Sequence, residues 1–310
     1  MGDRASSSLT IEGRPIGCVM RNWISSRTWF AARGAGASTM PDTFSSGAIP
    51  LSAFDLSIAA GLVLVAGVIS LLFRLGLERR LALASARTVA QLLLVGYVLQ
   101  WVFDPAHVLM IVPIVVVMIA VASRSAVARA SRSFAGVTWR AFGTLVLTSL
   151  ITTVIVTGIV IGAEPWYGPQ YLIPLLGMVL GNSLNGVSLC LDSLLEYLVQ
   201  RRDEIEMHLS LGATRWEAAR DALRDAVRRG MIPIINSMMV VGIVALPGMM
   251  TGQILQGADP LQAVKYQIVV MFMIAGATSA GCMGIALLSY RRLFTRRHQL
   301  NFSAIAKRSA

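Results

Sequence analysis

The feature that most constrains this chain is a series of apolar runs, each about as long as a bilayer is thick, with basic residues gathered in the short gaps between them. A helix needs about 20 predominantly apolar residues to cross the hydrocarbon core. Such runs begin near Leu51, Leu81, His107, Ala141, Tyr171, Met231 and Gln267. Composition closes off a soluble fold: 55% of residues are hydrophobic and 14% charged, against about 25% charged in an ordinary soluble domain. The expectation is an all-α integral membrane protein with about seven transmembrane helices, because lipid leaves no partner for unpaired backbone groups.

The formal charge of +11, from 27 Lys and Arg against 16 Asp and Glu, would suggest nucleic acid in a soluble chain. Here the positions point to lipid headgroups, and no nucleic-acid partner is expected. The gaps after the first, third and fifth runs and the C-terminal tail are rich in Arg, whereas the gaps after the second, fourth and sixth hold Lys265 alone. By the positive-inside rule the N terminus is outside and the C terminus cytoplasmic. The five arginines before residue 40 conflict with that orientation. Residues 1–49 show no apolar period and read as a disordered extension, or as a start placed too early with Met40 as the true first residue. The chain thus divides into an extension (1–49), a transmembrane domain (50–298) and a cytoplasmic tail (299–310). The three cysteines, Cys18, Cys190 and Cys282, are far apart and suggest no disulfide framework.

Between the fifth and sixth runs lies a charged stretch, Glu196 to Arg229. Tyr197, Leu198, Ile205 and Leu209, then Trp216, Ala219, Leu223, Ala226 and Val227, recur at helical spacing. Gly212 falls between the blocks where a C-cap belongs. Thr214 and Glu217 have the spacing of a capping box that starts a second helix. A cytoplasmic helix, a tight corner and a second helix are expected over 196–229.

Two runs are poor hydrocarbon. In the fifth, Met178, Asn182, Asn185 and Asp192 share one helical face beside the Gly177 and Gly181 pair. Such a face either packs closely through amide hydrogen bonds or lines a substrate path. The sixth, Met231 to Leu255, carries Pro233 near its start and Pro247-Gly248 deep inside, which predicts local unwinding over 246–251. Met249 and Met250 follow that break, with Met238, Met239, Met271, Met273, Met283 and Cys282 in the neighbouring runs. Thioethers suit soft ions, whereas Asn182, Asn185 and Asp192 offer oxygen ligands better matched to iron. Met249, Met250 and Asp192 are therefore candidate metal ligands, with methionine as packing filler the other reading of the first two.

No P-loop can be built, since the only lysines, Lys265 and Lys307, follow no glycine-rich loop. His107, His208 and His298 are scattered, and no hydrolase or metalloprotease signature occurs. The chain reads as a transporter subunit with no cofactor of its own and no nucleotide-hydrolysing motif, not as an enzyme.

The segments GMVLGNSLNGVSLCLDSL, LSLGATRWEAARDALRDAVRRGMIP, VALPGMMTGQILQGADPLQAVKYQI and RRLFTRRHQL resemble the FetB-type permeases of bacterial ABC iron exporters, a family shared with plant aluminium-tolerance permeases. The resemblance is collinear over roughly Leu51 to Leu300. It implies a multi-pass protein of the bacterial inner membrane that pairs with a cytosolic ATPase, through which ATP acts, and that exports a metal ion, iron first. It also implies that Glu206, Leu209, Leu211, Gly212, Ala213 and Thr214 form the coupling contact with that ATPase, although Met207 and His208 stand where the commonest loop has alanines. One copy is small for an alternating-access pore, so a homodimer is expected by symmetry. A permease of this build for a nucleotide-sugar or other organic solute, and a gradient-driven secondary transporter, are the alternatives.

Overall fold

The structure, a computed structural model, describes residues 10–11, 14–15, 52–102, 110–162, 167–295 and 297–307. Two units are described separately. In residues 1–46 a two-residue strand β1 (Thr10–Ile11) pairs antiparallel with β2 (Arg14–Pro15). The remainder of the 1–49 extension, including Met40, lies outside the described residues, as do Asp104-Pro105, His107, Glu164-Pro165-Trp166 and Arg296.

The second unit is helical: α1 (Ala53–Leu72), α2 (Glu78–Val102), α3 (Ile111–Ala128), α4 (Val137–Ile155), α5 (Pro169–Gln200), α6 (Arg202–Ser210), α7 (Arg215–Val240), α8 (Gly248–Leu255) and α9 (Pro260–Leu293). Among the described residues, six helices are long and apolar enough to span a membrane: α1 to α5 and α9. Ser52 starts α1 by accepting from the Asp55 amide, and the Asp55 carboxylate accepts from the Ser52 amide at 2.8 Å. The α1–α2 pair keeps nearly all of its apolar side chains outside the chain's own core, and only the end of α2, at Val102, is built into it. Those surfaces are satisfied by lipid, which is as apolar as they are.

The body is α3, α4, α5 and α9, joined by α7. Ile119, Leu145, Leu176, Leu191, Leu194 and Ile285 fill its centre. Helices α5, α7 and α9 approach one another tightly at two glycines. A Cβ on Gly230 would stand 2.8 Å from Cys282 Sγ, 2.8 Å from the Gly186 carbonyl oxygen and 2.9 Å from Cys190 Cβ. A Cβ on Gly186 would stand 2.6 Å from Thr278 Cγ2 and 3.0 Å from the Gly230 carbonyl oxygen. Only residues without side chains permit this approach. The Gly177 and Gly181 pair is not at such a crossing: Met118 Cε at 3.6 Å is the one atom facing Gly177, and Gly181 opens on empty space.

The sixth expected span is not a helix of its own. Met231 to Val240 is the far end of α7, which runs unbroken from Arg215 through Pro233. The break comes at 241–247, earlier than the expected 246–251, and Gly248 starts a new helix. Gly242, at φ +84°, makes the turn. The Ile243, Val244 and Ala245 amides all point at the Val240 carbonyl, and the Gly242 amide donates to the Ala245 carbonyl at 2.9 Å. Pro247 cannot donate, so the helix resumes with proline as its N-cap. Directly after α4 a second irregularity, a π-helical turn at Val156–Ile161, brings Val156 into the apolar cluster beside this break.

Candidate functional site

Two regions carry the residues singled out by sequence, and α7 connects them. The first is the corner. Helix α5 continues through the expected start at Glu196 and ends at Gln200, and the turn at Arg201 leads into α6. At the end of α6 the Ala213 amide donates to the His208 carbonyl at 3.0 Å and the Gly212 amide to the Leu209 carbonyl at 3.2 Å. That Schellman arrangement requires a left-handed residue, which Gly212 supplies at φ +94°. Thr214 then caps α7. Its hydroxyl accepts from the Glu217 amide, and the Glu217 carboxylate accepts from the Thr214 amide at 2.7 Å and hydroxyl at 2.8 Å. The backbone and hydroxyl hydrogen bonds from Thr214 hold the Glu217 carboxyl below its ordinary pKa.

Around this corner Leu198, Ile205, Ala219, Leu223 and Ala226 are buried as the periodicity named them; Ala222, which it did not name, is buried too, and Tyr197, Leu209 and Val227 are half-buried. Leu211, at the tip, is 79% exposed, and Met207 and Trp216 also face outward. Glu206 pairs with Arg202 at 2.6 Å, and Arg202 lies over the Phe302 ring at 4.6 Å. Glu206 and Leu209 face a groove of about 470 Å³ whose other wall is His298, Gln299 and Leu300.

The C-terminal tail is therefore part of the corner, which the sequence did not suggest. His298 Nδ1 accepts from the Arg215 amide at 2.9 Å. Beyond it β4 (Ala306–Lys307) pairs antiparallel with β3 (Arg132–Ser133) in the loop between α3 and α4. The same loop is tied to α5: Asp192 Oδ1 accepts from the Ser131 amide at 2.7 Å and hydroxyl at 2.6 Å, and Arg129 donates to Asn185 Oδ1. The basic gap after α3, the corner and the tail thus lie on one side of the body, as charge counting grouped them.

The second region is a cavity of about 270 Å³ between α5, α7, α9 and the break. Asn182 and Met249 line it, with Pro247 and Gly248 at its edge. Sequence reading missed Ser237 and Gln267, which line it together with Met178 and Met271. Gln267 is 7% exposed, and its Oε1 is buried without a hydrogen-bond partner. One polar residue at the apolar end of a long run carries no periodic signal, so only the fold reveals it. Met250 is buried in the core and does not line the cavity, and Asn185 and Asp192 are engaged at the corner end of α5. The polar face read from spacing therefore divides: Asn182 reaches the cavity, and the other two brace a loop. No group of three or more His, Cys, Asp or Glu side chains able to hold a metal occurs among the described residues.

A body of membrane-spanning helices, a cavity at a broken helix and a capped corner at the end of the body together define a multi-pass membrane protein. The chain belongs to the family described as Uncharacterised protein family (UPF0014), whose model matches residues 53–294. It is 41% identical to UPF0014 membrane protein slr1647 of Synechocystis over 73% of this chain and 87% of that one. It is 33% identical to the probable iron export permease protein FetB of Escherichia coli, over 82% and 96% of the two chains. It is 31% identical to the protein ALUMINUM SENSITIVE 3 of Arabidopsis thaliana, over 77% and 86%. The expected kinship with FetB and with plant aluminium-related proteins holds. No solved structure matches the chain.

Proposed function

We propose that this chain is the membrane subunit of an ABC exporter, driven by a separate cytosolic ATPase, and that its cargo is a metal ion, with iron the first to test. The observation that carries the ATPase contact is the corner. Leu211 stands 79% exposed at the tip of a capped, charged turn, with Met207 and Trp216 also exposed on the helices that flank it, and grouped apolar surface of this kind marks a partner's contact. Helix α7 starts at that turn and runs about 39 Å, at ~1.5 Å per residue, to the cavity, so displacement at the corner moves the cavity wall. The orientation that follows puts the corner and C terminus in the cytoplasm of a bacterial cell and the permease in its inner membrane.

The cargo reading rests on the printed name of the Escherichia coli relative and on the oxygen donors of Asn182, Ser237 and Gln267 around the cavity. A hydrated Fe(II) passing the cavity would meet those groups through its own waters.

A homodimer is part of this reading. Val241 lies about 18 Å along α7 from Arg229, at ~1.5 Å per residue, within a bilayer core about 30 Å thick. Irregular backbone at such depth is tolerated only against protein or a water-filled path. Yet Ile243 is 88% and Val244 81% exposed in the single chain. A second copy seated on the break supplies that cover and closes the cavity between the two.

The test is flux. The permease and its ATPase are reconstituted in vesicles with the corner outward, and Fe(II) accumulation is followed with ATP, without ATP and with an imposed ion gradient. The proposal requires ATP-dependent accumulation. Accumulation driven by the gradient alone identifies a secondary transporter, and ATPase stimulation by an organic solute but no metal identifies the other cargo class.

A further inference from the structure

The cavity at the broken helix holds donors of a second kind. We infer that it binds a soft, singly charged metal ion, Cu(I) or Ag(I), through the thioethers of Met178, Met249 and Met271 and the side-chain oxygen of Gln267. This rests on the reading of the cavity as the cargo site and extends it to a further class of cargo.

Three observations converge. First, Met178, Met249 and Met271 come from α5, α8 and α9 and all line the cavity, Met249 because the chain breaks at 241–247 and Gly248 starts a new helix there. Thioether sulfur is a ligand that selects Cu(I) over harder ions.

Second, Gln267 lines the same cavity and its Oε1 is buried without a hydrogen-bond partner. A buried acceptor left unmet costs about 1–3 kcal/mol, and a bound cation would satisfy it. The Asn182 amide nitrogen is already committed to the Met178 carbonyl at 2.9 Å, which leaves its oxygen free to serve beside Gln267.

Third, the site has no anionic charge: no Asp, Glu, His or Cys lines it among the described residues. Val241 at the end of α7 and Gly248 at the start of α8 both line it, so opposite helix-end partial charges flank the cavity. The cost of taking an ion out of water rises with the square of its charge, so an uncharged site favours a singly over a doubly charged ion.

The experiment is anaerobic competition for Cu(I) between the purified permease in detergent and the chromophoric chelator bicinchoninate, with no ATPase present. Wild type is expected to withdraw one equivalent of Cu(I). Met178→Leu, Met249→Leu and Met271→Leu are each expected to weaken binding by about 10- to 100-fold, the range seen when support for a bound metal is lost, and the triple variant to abolish it. Leucine nearly conserves methionine's volume, and an unchanged gel-filtration profile identifies the variants that remain folded. Asp192→Asn, outside the cavity, is expected to bind like wild type. Failure of wild type to compete, or retention of Cu(I) by a folded triple variant, overturns the inference. Loss of Cu(I) binding leaves ATPase association intact and so is distinguishable from failure of the exporter reading, which would appear as two proteins that never associate.

Discussion

Gly230→Ala is the sharpest test of how the body is packed. The added methyl would lie 2.8 Å from Cys282 Sγ, 2.8 Å from the Gly186 carbonyl oxygen and 2.9 Å from Cys190 Cβ. Ordinary contacts of those kinds fall near ~3.5–4.0 Å, so α7 must move away from both α5 and α9 by several tenths of an ångström. Two of the three obstacles are a backbone atom and a Cβ, neither of which can rotate aside. Overpacking of one carbon in a tight core costs about 1–3 kcal/mol, and the upper half of that range applies here. At roughly 2–4 °C per kcal/mol for a chain of this size, the thermal midpoint in detergent falls by about 4–12 °C. Gly181→Ala is the matched control, since nothing lies within 4 Å of its Cβ position and alanine is the better helix former by about 0.5–1 kcal/mol. It should melt at or above wild type. If Gly230→Ala melts no lower than Gly181→Ala, the three-helix crossing described here is wrong.

Thr214→Ala removes the cap of α7 and should cost about 1 kcal/mol, read as a lower midpoint at neutral pH. Because Thr214 lowers the Glu217 pKa, the carboxylate's part of that cap is present above the unfolded value and is lost as pH falls through the lowered folded value, so wild type and variant should converge in acid and not in base. Asp192→Leu frees the Ser131 amide and should speed its hydrogen exchange; unchanged exchange would mean that Asp192 does not brace that loop. Ile243→Cys, with Cys18 replaced by Ser, should form a disulfide-linked dimer in native membranes under mild oxidant. Persistent monomer from this position and from Val244→Cys and Leu246→Cys would remove the break from the dimer interface.

Much of this was legible in the chain before folding. The long spans follow from apolar length, and the corner from Gly212, Thr214 and Glu217, because a C-cap glycine and a capping box act over a few residues and leave a local signature. The sixth span misled because its apolar content is real while its geometry is tertiary: Pro233 is tolerated inside α7, and the break is set by Gly242 and the convergence on the Val240 carbonyl. The face of Asn182, Asn185 and Asp192 was periodic, but periodicity cannot say that Arg129 and Ser131 would claim two of the three. Gln267 and His298 were invisible because each acquires its role from a segment distant in sequence. The tail gave no hint that it would pair with the loop after α3, since two-residue strands carry no pattern.

The central claim is that the corner receives work from an ATPase. Its most direct measurement is ATP hydrolysis by the reconstituted pair, comparing wild type with Gly212→Ala and Gly212→Arg. Among the described residues no atom lies within 4 Å of a Cβ placed on Gly212, so both substitutions carry the same backbone strain and only arginine adds bulk at the contact. The account predicts metal-stimulated turnover that survives in large part in Gly212→Ala and is lost in Gly212→Arg with the permease still folded. Full stimulation in Gly212→Arg would contradict it.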